Sequence, residues 1–202
     1  MIHKTERRFI PATFEMRADG EKPPKLVGHA AVFGEQFDLG WMIETIDENA
    51  FDRALKEGQD VRAFFNHDPN YILGRTAAGT MKLSVDAKGL VNEITPPDTQ
   101  YARDLRTSIE RGDVTQQSIM FSVRSRTLTE RDDGVLLRHI LDVDLFEAGP
   151  VALPAYETTD ITARSVEGLR AELAKELEEA RKAPAHLKQN LEYLNRYLGI
   201  PA

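Results

Sequence analysis

One histidine in this chain of 202 residues stands where it could do chemistry. His67 follows the apolar run of residues 61–65 and lies between Asn66 and Asp68, where a strand is expected to leave a sheet. Functional side chains are common where the chain leaves regular elements. An imidazole with a pKa of about 6.5 can take a proton from a hydroxyl near neutral pH. His67 is therefore a candidate general base, although a purely structural histidine fits the same position.

Glu147 is the second candidate, because it follows an otherwise apolar strand face. Counting alternate residues along a regular strand puts Glu147 on the same face as Val143 and Leu145. A carboxylate buried there must be paired or hydrogen-bonded. If the strand instead ends or bulges before residue 147, the side chain is expected to be solvated. The sequence leaves both alternatives open.

A hydroxyl nucleophile is available from several serines, and composition does not choose among them. Ser118 opens the apolar stretch of residues 119–121 after a polar segment, a strand entry where rigid backbone can hold an exposed hydroxyl. A serine that simply faces solvent fits the same pattern. The candidates are Ser84, Ser108, Ser118, Ser122, Ser125 and Ser165.

Composition excludes several classes of site. The chain has no cysteine, so covalent catalysis must use a hydroxyl, a lysine or a carboxylate. The net charge of −7 and the lack of a dense basic block argue against a dedicated nucleic-acid binder. No apolar stretch is long enough to span a bilayer or to form a secretory signal, so a cytoplasmic protein without a membrane partner is expected.

Metal and cofactor sites find no support in the motifs. The five histidines are not at ligand spacing, and the phosphate-binding and dinucleotide-binding glycine patterns are absent. His29 and His139 lie inside apolar strands, where a structural histidine is expected, and His186 is expected at the surface. We expect no metal and no cofactor.

The elements that must position these side chains are mostly strands. Short alternating runs, two interposed helices and frequent turns predict an α+β, mainly β fold built on an antiparallel barrel. The predicted elements are strands over 26–33, 42–46 and 61–65, helices over 47–57 and between 98 and 112, and hairpins of 81–85 with 90–94 and of 116–129 with 135–147.

The sequence pattern changes from strand-rich to helical near residue 164. This change predicts a domain of residues 1–160 and a helical tail of residues 165–202. Leucines recur every three or four positions over residues 169–177 and 187–198. This spacing favours a helical hairpin or coiled-coil arm, or equally a helix that docks on its own barrel.

Three segments together resemble the prohead maturation proteases of tailed bacteriophages, which are relatives of the herpesvirus capsid-maturation protease, assemblin. The resemblance extends over residues 8–160. One departure is Ser118-Ile119-Met120-Phe121, where the family often has a small residue and an aromatic residue after the serine. The segments are FNHDPNYILGR at residues 65–75, GDVTQQSIMFSV at 112–123 and DLFEAGPVALPAYETT at 144–159.

The resemblance implies a serine endopeptidase with a barrel of the herpesvirus-protease type. It implies that His67 is the general base, Ser118 the nucleophile and Glu147 the group that orients the histidine. Asp144 is the next candidate for that third role, and His139, by analogy with the second histidine of the herpesvirus enzymes, comes after it.

The implied partners are proteins inside the immature capsid, in the host cytoplasm. Substrates would be the scaffold, the scaffolding region of the major capsid protein, and the protease itself. Herpesvirus relatives act as dimers, so a homo-oligomer is also considered. The tail would bind scaffold or be removed by self-cleavage. The alternatives are a non-catalytic capsid assembly or scaffolding protein and, third, a metal-dependent hydrolase.

Overall fold

The fold is described here from a computed structural model, over residues 5–10, 14–19, 22–39 and 42–152 and four single positions at 171, 175, 178 and 182. The chain divides into two units, Met1–Tyr156 and Glu157–Ala202. Apart from those four helical positions, the predicted tail of residues 165–202 lies outside the described residues. The helical arm therefore stays a prediction. No helix in the described ranges is both long and apolar enough to cross a membrane.

Strands dominate the described part of the first unit. The strands are β1 (Thr5–Ile10), β2 (Phe14–Asp19), β3 (Lys22–Val32), β4 (Phe37–Asp38), β5 (Met42–Ile46), β6 (Arg62–Phe65), β7 (Asp68–Arg75), β8 (Met81–Val85), β9 (Gly89–Ile94), β10 (Gln116–Glu130) and β11 (Leu136–Val151), and the helices are α1 (Asp52–Lys56) and α2 (Gln100–Glu110). The predicted hairpins β8–β9 and β10–β11 are confirmed.

The strands form two sheets, and the predicted closed antiparallel barrel is not confirmed. One sheet has the order β1-β10-β11-β5-β4, with β6 also paired to β11 and β7 paired to β6; the other has the order β2-β3-β9-β8. Neither row of described strands closes on itself. The larger sheet is also mixed, because β5 and β6 both run parallel to β11, with α1 between them in the chain.

Both helices lie within their predicted ranges but are shorter than predicted. The first predicted helix begins at Asp52 rather than at Asp47, because the Asp47 carboxylate accepts a hydrogen bond from the backbone N–H of Asn49 at 2.9 Å, which favours a turn. Gly58, with φ of +64°, follows the end of α1 in the left-handed region that favours glycine.

The two sheets are joined by one apolar cluster and by a buried pair of amides. Side chains from both sheets and both helices form the cluster. Asn92 of β9 and Gln117 of β10 exchange two hydrogen bonds, of 2.6 and 3.0 Å, and Asn92 also donates to the carbonyl oxygen of Ala148 at 3.3 Å. These bonds fix the smaller sheet against β10 and β11 at Gln117 and Ala148, which are next to Ser118 and Glu147 in sequence.

Candidate active site

His67 lies at the tip of a tight hairpin between β6 and β7. Phe65 pairs with Asp68, and the two residues between them, Asn66 and His67, have φ of +56° and +60°. Two consecutive left-handed residues are typical of a type I′ turn, whose twist matches that of the flanking strands. The sequence placed His67 correctly at a strand end, but the chain turns back at once rather than leaving the sheet.

The hairpin tip is tied to the end of β11 by its backbone and its amide. The N–H of Asn66 donates to the carbonyl oxygen of Pro150 at 3.0 Å. In return, the Asn66 Oδ1 atom accepts a hydrogen bond from the N–H of Ala152 at 2.8 Å. These bonds hold His67 beside the last residues of β11.

The imidazole of His67 contacts the carboxylate of Glu147. The Nδ1 atom lies 2.9 Å from Glu147 Oε1, and the two side chains are 11% and 3% exposed. An ionised carboxylate can only accept hydrogen bonds, so a neutral imidazole that bonds to it carries its hydrogen on Nδ1 and its lone pair on Nε2. A buried carboxylate is thus matched by a donor, as its burial requires.

A β-bulge decides which way Glu147 points. Met120 pairs with Glu147, but the next residue of β10, Phe121, pairs with Leu145, so Phe146 is an extra residue in the ladder. Leu145 and Glu147 consequently face opposite sides of the sheet. A bulge before residue 147 was one of the two alternatives that the sequence allowed, and it is present. The solvated side chain expected with it is wrong, because Glu147 is buried.

Ser118 lies on the same face of the sheet as Glu147. It pairs with Gly149, and the register is regular from there to the pair of Met120 with Glu147. Residues two apart share a face, so Ser118 and Glu147 are diagonal neighbours, with Cα atoms typically about 7–8 Å apart. The prediction that Ser118 has an exposed hydroxyl at the start of a strand is wrong. Ser118 is the third residue of β10 and is fully buried.

A glycine lets the His67 hairpin lie against this face. A Cβ atom at Gly149 would lie 2.3 Å from the carbonyl oxygen of Phe64 and 3.0 Å from its nitrogen. Since Gly149 is opposite Ser118, the backbone of β6 crosses the face from which Ser118 and Glu147 project. Sequence reasoning did not single out Gly149, although a glycine inside a buried strand can signal a close backbone approach.

The family follows from the sequence match. A family model described as caudovirus prohead serine protease matches residues 12–172, a range that contains the histidine, the serine and the glutamate. This chain is a member of that family. The match supports a protease of phage capsid maturation.

The solved structure that resembles this chain is a distant match. The solved structure of the bacteriophage T4 capsid assembly protease, gp21, has a TM-score of 0.45 and 10% identity, over 74% of this chain and 99% of that chain. No curated protein matches the chain in sequence. The relation to the herpesvirus enzyme stays a prediction.

The other acidic candidate, Asp144, is engaged elsewhere. Its carboxylate accepts hydrogen bonds from Arg53 and Gln59, at 2.8 and 2.9 Å, and from Arg124. Burial alone would raise the pKa of Asp144, but the hydrogen bonds from Arg124, Arg53 and Gln59 outweigh it and hold that pKa at about 2.

His139 also has partners of its own. Its Nδ1 atom lies 2.7 Å from Thr45 Oγ1, and its Nε2 atom lies 3.1 Å from Asp47 Oδ2. His29 is similarly placed, with Nε2 2.9 Å from an oxygen of Asp86. Over the described ranges, no group of three acidic, histidine or cysteine side chains is arranged to hold a metal ion.

Proposed function

We propose that this member of the family is a serine endopeptidase in which Ser118 is the nucleophile, His67 the general base and Glu147 the group that orients the base. The observation that carries the proposal is the 2.9 Å contact between His67 and Glu147 on the sheet face that Ser118 shares. Histidine, serine, glutamate is one more chain order for roles that unrelated folds realise in several orders.

The contact with Glu147 defines how His67 would handle the proton. The Nδ1–H group of the imidazole donates a hydrogen bond to Glu147, so Nε2 is the atom that accepts a proton. It takes the proton of the Ser118 hydroxyl as Oγ attacks the scissile carbonyl carbon. The buried carboxylate stabilises the imidazolium that forms. His67 then passes the proton to the leaving amine, and an acyl-enzyme remains on Ser118. Water, deprotonated by His67, hydrolyses that ester and restores the hydroxyl.

Family membership supports the choice of substrates. The substrates we propose are the scaffold, or the scaffolding region of the major capsid protein, and the protease itself, cleaved inside the prohead. No membrane, nucleic acid or cofactor takes part in this scheme. Release of the tail after residue 164 by self-cleavage belongs to the same proposal.

The test is co-expression of the full chain with its cognate major capsid protein. Wild type should shorten the capsid protein and itself, and Ser118→Ala should leave both at full length. Ser122→Ala is the matched control, because Ser122 is on the same strand and is also buried. Processing by Ser118→Ala at the wild-type rate would remove the serine assignment. Intact proteins in all three cultures would favour the non-catalytic assembly role.

A further inference from the structure

Gln116 lies on the face of β10 from which Ser118 projects. The register is regular from the pair of Gln116 with Val151 to the pair of Ser118 with Gly149. Side chains two residues apart on a regular strand share a face, so the Gln116 amide and the Ser118 hydroxyl leave the backbone on the same side. Gln116 is partly exposed, whereas Ser118 is fully buried. Gln116 therefore belongs to the surroundings of the proposed nucleophile and is also reached by solvent.

The hairpin of His67 is attached on either side of the residue opposite Gln116. That residue is Val151, and its two neighbours in the chain each make one backbone hydrogen bond with Asn66, of 3.0 and 2.8 Å. Residues rise about 3.3 Å along a strand, and neighbouring strands lie about 5 Å apart. Gln116 is thus about 7 Å from Ser118 and about 10 Å from the turn at His67. An extended peptide covers such a distance in about three residues.

The side-chain oxygen of Gln116 is buried without a hydrogen bond. Within the described ranges, no donor lies within hydrogen-bond distance of Oε1, although the atom is hidden from solvent. The next amide, that of Gln117 on the opposite face, instead exchanges two hydrogen bonds with Asn92. A buried acceptor that loses water and gains no donor lowers stability, and native proteins contain few of them. At Gln116 the chain therefore keeps an acceptor that its own fold does not use.

We infer that the Gln116 carboxamide binds the main chain of the peptide substrate, with Oε1 accepting a hydrogen bond from one backbone N–H within about three residues of the scissile bond. This inference rests on the proposed function. Every residue of a peptide except proline carries a backbone N–H, so the contact fits a substrate whatever its side chains. The hydrogen bond that Oε1 lacks in the chain alone is then made in the complex, and this gain favours binding.

Overlapping peptides from the cognate capsid protein provide the probe. The peptide that binds most tightly to Ser118→Ala, measured by fluorescence anisotropy, is used in all assays. Gln116→Met has nearly the same shape as glutamine but no amide, and it should raise KM for this peptide roughly ten-fold, with a much smaller change in kcat. An unchanged KM would overturn the inference, and so would the failure of every peptide to bind.

The stability of Gln116→Met separates a binding role from a structural one. Because Oε1 makes no hydrogen bond in the described ranges, its removal should leave the midpoint of urea unfolding unchanged or raise it. A structural role gives the opposite pattern, a lower midpoint with KM unchanged. A stable variant with a raised KM is the result expected of a group that is used only in the complex.

Thr99→Val is the matched control. The Thr99 hydroxyl is also buried with no hydrogen-bond partner in the described part of the chain, but it belongs to the N-cap of α2 rather than to β10. Valine keeps the shape and removes the hydroxyl. Thr99→Val should be at least as stable as wild type and keep its KM. An equal rise of KM in Thr99→Val and Gln116→Met would overturn the inference.

Peptides with one backbone N–H replaced by an ester oxygen identify the group that Gln116 binds. They are compared on Ser118→Ala, which cannot cleave them. One ester within about three residues of the cleavage site should weaken binding roughly ten-fold, and in Ser118→Ala/Gln116→Met the same ester should have little further effect. Losses that add in full at every ester position would mean that Oε1 meets no peptide N–H.

A fluorophosphonate probe, which reacts with an activated serine hydroxyl, separates this inference from the proposed function. Non-additive binding of the ester peptides, with no labelling of wild type at Ser118, would keep the Gln116 contact and reject the protease. Labelling of wild type but not of Ser118→Ala, with the same peptide affinity in Ser118→Ala and Ser118→Ala/Gln116→Met, would keep the protease and reject the contact.

Discussion

Ser118 and Glu147 project from one face of the β10–β11 ladder, whereas Leu145, two residues before Glu147, faces the other way. The bulge at Phe146 is the cause, because it inserts one residue between the pairs that Leu145 and Glu147 make. In an unbulged strand, the carboxylate would point into the apolar core beside Leu145. The bulge turns it instead toward the hairpin that carries His67.

Replacing Glu147 by Gln should slow reaction at Ser118 while leaving the fold intact. The amide has nearly the same shape, but it no longer fixes the hydrogen on Nδ1 of His67 or stabilises the imidazolium. We expect a loss of roughly a thousand-fold in the rate of fluorophosphonate labelling. Asp144→Asn is the control, since Asp144 bonds to Arg53, Gln59 and Arg124, and it should keep the wild-type rate. A large loss in Asp144→Asn with none in Glu147→Gln would reverse the assignment.

Replacing Gly149 by Ala should displace the His67 hairpin. The added methyl group would meet the Phe64 carbonyl oxygen at 2.3 Å, so the backbone of β6 must move away. We expect a cost of about 1–3 kcal/mol in the free energy of unfolding, measured in urea, and a loss of labelling at Ser118.

Gly79→Ala provides the comparison for Gly149→Ala. Gly79 has φ of +71° and nothing within 4 Å of an added Cβ, so alanine there costs about 1 kcal/mol of backbone strain away from the site. It should lower stability and leave labelling unchanged. Full labelling by Gly149→Ala would show that the close approach at Phe64 does not position His67.

The turn at His67 should be more stable with glycine than with alanine. Both replacements remove the imidazole and its contact with Glu147, so their difference isolates the backbone at φ of +60°. His67→Gly should exceed His67→Ala by about 1 kcal/mol in the free energy of unfolding, and neither should label at Ser118. An alanine variant as stable as the glycine variant would argue against left-handed strain at this turn.

Asp144 should contribute to stability at neutral pH and lose that contribution in acid. Its pKa is about 2 in the folded protein and 3.8 in the reference state, so folding favours the ionised form. The contribution is present above the unfolded pKa and disappears as the pH falls through the folded one. Between about pH 5 and pH 2, wild type should lose about 2 kcal/mol more than Asp144→Asn.

The same titration has an exposed control. The side chain of Asp98 is 85% exposed, and Asp98→Asn should keep the wild-type dependence on pH, followed by urea unfolding at each pH. Identical acid losses in wild type and Asp144→Asn would mean that the bonds to Arg53 and Arg124 do not favour the charged form.

Local patterns in the sequence were enough for the hairpins and for the position of His67. The alternation of Met81, Leu83 and Val85, and turn residues between long apolar arms, predicted β8–β9 and β10–β11 correctly. These features depend on neighbours within one hairpin. The resemblance of three segments to the phage proteases then selected Ser118 among six serines, which no local pattern could do.

The missed features all depend on how one strand pairs with its neighbours, which the pattern within a single strand does not show. The direction of β5 and β6 beside β11, the extra residue at Phe146 and the burial of Ser118 are set by which strands lie on each side. Counting alternate residues along β11 alone put Glu147 on the same face as Leu145. Only the register with β10 shows that the strand turns over between them.

The separation of the strand partners has a consequence for how the chain folds. The hairpin β10–β11 joins residues close in sequence, but β11 pairs Thr45 with His139 and holds the loop of His67 through Glu147, across 94 and 80 residues. High contact order of this kind slows folding, since loop closure precedes the contacts that reward it. We therefore expect the β10–β11 hairpin to form before β5 and the turn at His67 pair with it. A chain in which only the hairpin has formed lacks the contact between His67 and Glu147, because Glu147 belongs to the hairpin and His67 lies 80 residues before it.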